Sequence, residues 1–226
     1  MVSYLSSFMV FYFFPSFYVY MIAMIAFAFG EAFRTGTHKA MILEYLRING
    51  MTDMKVHYYG ATRAASQLGS AINALIAAFL VFYSGSYKIV FLASVLPYAA
   101  NLINLMLYPK ELDGELRSGE KRETIKAFLG IFRNGDALKG VLNSSLYDAF
   151  FKVVKEYLQP ILEALALGLP IMIAFSAEQR TSVIVGVVYF VIYIATSYAS
   201  KNAGKLSGKF GTEARALNYT YIFGGV

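Results

Sequence analysis

Met1 to Gly30 contain no charged side chain, and three later windows repeat the pattern: Ala64–Tyr87 (24 residues), Ile89–Pro109 (21) and Thr181–Ser200 (20). A hydrocarbon layer about 30 Å thick takes about 20 residues of helix to cross. Inside it every backbone N–H and C=O must be satisfied without water, so a single apolar segment crosses as a helix. The chain is therefore expected to be an all-α polytopic membrane protein. Its bulk composition agrees, being 58% apolar and only 15% charged with a mean hydropathy of +0.52. A soluble domain of this size can fill a core without such a surplus.

Several function classes are excluded early. With no cysteine there is no disulfide and no thiolate metal site. Two histidines, His38 and His57, do not make a metal site, and no H-E-x-x-H occurs. The chain also lacks a G-x-S-x-G elbow and paired-aspartate signatures, so it is read as no enzyme and with no cofactor. The net charge of +6 invites a nucleic-acid reading, but the basic residues fall between the apolar spans. Of 20 Lys and Arg, three lie in Arg47–Arg63, seven in Lys110–Lys139 and four in Lys201–Arg215. Only Lys88 and Arg180 fall on the opposite side of the predicted helix order. That asymmetry is the positive-inside pattern, and it assigns loops 47–59, 109–140 and 201–215 to the cytoplasm of a multi-pass plasma-membrane protein.

In chain order, Met1–Phe14 is apolar but amounts to about 21 Å of helix, short of a full span. Pro15 should break it, and it lacks the basic start and small-residue cleavage site of a signal peptide. A second helix is expected from about Ser16 to Leu46, ended by Asn49-Gly50. The next, about Tyr58–Tyr83, is dense in Gly60, Ala64, Ala65, Ser66, Gly69, Ser70 and Ala71, which suits close helix packing in lipid. Arg63 near its start is expected to anchor to headgroups or a partner loop. Ser84-Gly85-Ser86 reads as a turn, and a helix over about Tyr87–Tyr108 carries Asn101 and Asn104 for a cavity or an interhelical bond. Lys110–Lys139 is a mixed-charge linker between two membrane halves.

Two charged clusters interrupt this apolar background. Glu31, Arg34 and His38 recur at i, i+3 and i+7 on one stripe of the second helix, directly after its uncharged run. Ionisable side chains there face a pathway or a partner, or else mark a solvated extension beyond the bilayer. Between Val141 and Phe175, Asp148, Lys152, Lys155, Glu156 and Gln159 precede Pro160, a kink position. Two registers compete: a span over Val141–Ala166 with the charges near mid-depth, or one over Tyr157–Phe175 with the charges at the surface. Thr181–Ser200 is the last full span, and Asn218–Val226 is apolar but short.

Three stretches carry a family resemblance. Gly30–Leu46 resembles the helix 4 signature of many major facilitator superfamily transporters, matching at Gly30, Ala32, Phe33, Thr35, Gly36, Ala40, Glu44 and Leu46. Gly204, Leu206, Lys209 and Gly211 are similar to that superfamily's cytoplasmic loop motif, in its weaker copy after helix 8. The motif's acidic position is Gly208 here, so its gating role does not carry over. Gln159-Pro160 is similar to the Q-P of helix 7.

The resemblance implies the end of helix 3, helices 4 to 8 and the start of helix 9. That is a partial bundle of about five full transmembrane helices with partial helices at both ends. Residues 1–108 would belong to the first bundle, 109–140 to the cytoplasmic linker and 141–226 to the second bundle. Helices 4 and 7 line the superfamily's pathway, so the mid-depth register of the second cluster follows from the resemblance. The implied function is secondary transport of a small solute by alternating access, with proton coupling open, by an incomplete chain. Glu31, Arg34, His38, Asp148, Lys152, Lys155, Glu156 and Gln159 would then form the solute or proton path. The alternative is a truncated or split membrane subunit that needs flanking helices or a partner chain.

Overall fold

The computed structural model describes residues 1–109, 111 and 130–209; for 35–38, 143–144, 147–148, 151 and 206–209 it describes the backbone alone. The described residues form helices α1 (Val2–Phe13), α2 (Phe17–Ile48), α3 (Lys55–Ser84), α4 (Lys88–Met106), α5 (Gly135–Gly168) and α6 (Ala177–Lys209). A 3₁₀ turn over Thr52–Met54 precedes α3, and no strand occurs among the described residues.

Local chemistry explains the breaks. Pro15 pushes Phe14 out of the helical region (φ −121°, ψ 85°), and Ser16 is extended before α2 begins. Gly85 takes the left-handed cap after α3 (φ 67°), donating its N–H to the Val81 carbonyl at 2.8 Å. Asn134 caps α5, its side chain accepting from the N–H groups of Asp136 and Ala137 at 3.1 and 3.2 Å.

Among the described residues four helices are long and apolar enough to cross a membrane: Phe17–Ile48, Thr52–Ser84, Lys88–Met106 and Ala177–Lys205. The fifth expected span, α5, has the length at 34 residues but not the apolarity, because Asp148, Lys152, Lys155 and Glu156 crowd its centre. It runs unbroken through Pro160, as α4 does through Pro97. The predicted linker and loops are also shorter than expected. Residues 135–140 belong to α5, 55–59 to α3 and 201–209 to α6. Hydropathy marks where a helix leaves lipid, not where it ends, so helical turns projecting beyond the apolar windows were read as loop. The rest of the expected linker, residues 110 and 112–129, lies outside the described residues.

Two packed units make the bundle. In the first, α1 lies against both α2 and α4, and its Tyr4, Phe8 and Phe11 are buried with Ala23 among Phe27, Phe91 and Tyr98. Tyr4 meets Phe27 edge-on at 5.0 Å and Tyr98 at 4.9 Å. Ser3 Oγ donates to the Ala26 carbonyl, a further tie between α1 and α2.

In the second unit α3 and α6 run antiparallel along their length and form the most extensive helix pair. Their register is set by Gly204 on Val56, Gly60 on the Ser200 carbonyl, Ser197 Oγ donating to the Ala64 carbonyl at 2.8 Å, and Gly186 on Ala74 and Ala78. Gln179 Nε2 closes the far end on the Phe82 carbonyl at 2.6 Å. Small residues let the backbones come this near, and dispersion between them then works without a hydrophobic drive. Of the seven small residues predicted to pack, Gly60, Ala64 and Ala71 are buried, whereas Ala65, Ser66 and Gly69 are exposed. Gly204, Leu206 and Lys209 thus sit on the last turns of a helix rather than in a loop, while Gly211 lies outside the described residues.

The α5–α6 turn is held by Arg180, whose Nη2 donates to the carbonyls of Ala166 (3.0 Å), Leu167 (3.3 Å) and Leu169 (2.6 Å). A cation on orphan C-terminal carbonyls satisfies them and opposes the helix dipole. Arg180→Ala is expected to cost about 2 kcal/mol, as charge-assisted bonds do. The loss should appear as a lower melting temperature in detergent, with Arg180→Lys recovering only part of it.

Candidate functional site

Gly30 is where α2 admits a neighbour. The Tyr4 ring lies so close that a Cβ on Gly30 would stand 3.0 Å from its Cδ2 and Cε2. This close approach brings the buried Tyr4 hydroxyl onto Glu31, to whose Oε2 it donates. Arg34, one turn on, completes the group: Nη2 reaches Glu31 Oε1 at 2.8 Å and Oε2 at 3.1 Å, and Nε reaches the Tyr4 hydroxyl at 3.2 Å. A carboxylate, a guanidinium and a phenol therefore form one network, half-exposed on its outer side at 43% for Glu31 and 48% for Arg34. Counted from Phe17, Glu31 lies about 21 Å along α2, toward the far edge of a hydrocarbon layer about 30 Å thick.

Gly30→Val is expected to displace the Tyr4 ring and lower thermal stability by about 1–3 kcal/mol through overpacking. Gly30→Ser, whose smaller side chain still carries a Cβ, should fall between Val and the parent in a detergent melt.

Arg34 forms part of the wall of an open-sided cleft of about 690 Å³ between the start of α1 and helices α2, α3 and α4. Lys39 comes from α2, Arg63 and Ser66 from α3, Asn101 from α4, with Phe33 and Leu102 among the apolar lining. Lys39 Nζ sits 5.9 Å from the Tyr59 ring centroid, a cation–π contact that bridges α2 and α3. Asn101, read as a cavity or bonding residue, does both: it lines the cleft and its amide donates to Met1 Sδ at 3.8 Å.

Of the two predicted clusters, then, the structure assembles the first in part. Glu31 and Arg34 meet as their spacing implies; the His38 side chain lies outside the described residues. The second cluster is not brought to the first, because α2 packs on α1 while α5 packs on α6. Lys155 lies 5.6 Å from the Tyr193 ring centroid, and Tyr189 Oη donates to its carbonyl at 3.4 Å. Lys152, Glu156 and Gln159 are exposed, and the Asp148 side chain lies outside the described residues. No group of His, Asp and Glu that could hold a metal occurs among the described residues.

Sequence reasoning missed Tyr4, which sits 27 residues from Glu31 in a run of apolar residues, and it did not place Arg63, expected at headgroups or a partner loop, on a cleft. The available signal was Gly30, a residue that invites close approach but does not say by what.

Comparisons with family models, with curated proteins and with solved structures find no match to this chain. Its own geometry defines a class: among the described residues the secondary structure is all helical, four helices are able to cross a membrane, and a charged cleft lies at one end of three of them.

Proposed function

We propose that the chain is the central part of a secondary active transporter of the major facilitator type, moving a small solute across the plasma membrane by alternating access. The observation that carries this reading is Arg34, tied to Glu31 and Tyr4 behind it, on the wall of a solute-sized cleft within an apolar helix bundle. Ionisable groups that follow directly on an apolar span and face a cleft mark pathways by default. The closely packed α3–α6 pair joins the two expected halves, and such a contact is where one bundle rocks against the other.

A second reading has its own observation. Glu156 and Gln159 stand exposed on α5, and polar side chains on a helix face turned to lipid would be expensive. That face calls for further helices, from the same protein or from a partner chain.

Uptake into proteoliposomes decides between them. Joined to flanking helices, the chain should take up a solute saturably from a panel of polar compounds, with or without a proton gradient. No saturable uptake by the chain alone, but uptake once a second membrane chain is co-reconstituted, would favour the partner reading.

A further inference from the structure

The charges around the cleft do not balance. Among the described residues its lining includes Arg34, Lys39 and Arg63 and no acidic residue. Arg34 is offset by Glu31 beside it, whereas neither Lys39 nor Arg63 is ion-paired among the described residues. Both face one space. Lys39 reaches across to the Tyr59 ring, and Arg63 stands one turn beyond Tyr59 on the same face of α3. The apolar part of the lining includes Phe33 and Ile42 on α2 and Leu102 on α4. Two uncompensated cations beside an apolar wall leave a charge deficit that an anion with an apolar body would fill.

We propose that the cleft binds an amphiphilic organic anion, its carboxylate or phosphate oxygens held by Arg63 and Lys39 and its apolar body against Phe33 and Leu102. The inference rests on this cleft being the solute site of the transporter reading. Arg63 supplies a planar fork suited to oxyanions, and Lys39 a point charge steered by Tyr59. A cation meets net repulsion there, and a neutral isostere gains neither charge-assisted bond.

The test uses the chain in phosphatidylcholine nanodiscs with naphthoate, naphthamide and naphthylmethylammonium, read by their fluorescence. Naphthoate should bind saturably, and the other two about tenfold or more weakly. Lys39→Gln with Arg63→Gln should weaken naphthoate by a similar factor, while Lys139→Gln, whose residue lies outside the cleft, changes nothing. Ser66→Asp, which adds a carboxylate that offsets one of the two cations, should weaken naphthoate and narrow its margin over the ammonium even if the double variant loses its helical signal. Adding phosphatidylglycerol identifies the source of the anion: competition with naphthoate assigns a lipid headgroup, and none assigns a soluble solute. Equal binding of the three probes, or full naphthoate affinity in a folded double variant, overturns the proposal. Naphthoate binding without vesicle uptake would sink the transporter reading alone. Saturable uptake of the ammonium in preference to the carboxylate would sink this inference alone.

Discussion

Arg34→Ala is expected to reduce saturable uptake at least about tenfold, while the circular dichroism of the bundle stays helical. The guanidinium is the hub of the site, joined to both Glu31 oxygens and to the Tyr4 hydroxyl. Without it, Glu31 loses the cation that holds both its oxygens, and its charge is left poorly compensated near lipid. Arg34→Lys restores the charge without the fork that spans Glu31 and Tyr4, so its uptake should lie between the two. A double-mutant cycle with Glu31→Gln separates the shared network from two independent contributions. Strong coupling supports one unit, whereas additive losses would mean that Arg34 and Glu31 act apart.

Gly186→Val should be the most damaging single change outside the cleft. A Cβ at this position runs into the Ala78 side chain and stands 3.1 Å from the Ala74 carbonyl, with backbone on the facing side that has no room to retreat. Overpacking costs about 1–3 kcal/mol in a well-packed core, and a branched side chain between two helix backbones belongs at the upper end. The expected result is a fall in melting temperature together with loss of α3–α6 cross-linking between paired cysteines at Gln67 and Thr196, whose side chains meet at 3.5 Å. The matched control is Gly69→Ala, where the added Cβ meets open space, and it should melt as the parent does.

What could be read from the residues was what local chemistry encodes. The uncharged windows became four of the long helices, Pro15 separates α1 from α2, Gly85 caps α3, and α5 ends at Gly168 two residues before Pro170. The i, i+3 spacing of Glu31 and Arg34 anticipated their ion pair. What stayed hidden was long-range. Nothing local says that Tyr4 docks on Gly30, that α3 pairs with α6 across more than a hundred residues, or that Arg63 and Lys39 share a cleft. Helix ends in polar segments were hidden for another reason. Asn134 caps α5 within a stretch whose charge reads as linker, and Lys201–Lys209 keeps helical geometry in a stretch read as loop.

The most direct test of the central claim uses the absence of cysteine in the chain, so that one introduced thiol is the only one present. Ser66→Cys sets it on the cleft wall. In vesicles of known orientation, a membrane-impermeant maleimide should label it from the side that carries Lys110–Lys139, and bound solute should protect it. A thiol blocked from both sides, or labelled equally from the opposite side with no effect of solute, would contradict a membrane-embedded cleft that opens to one side at a time.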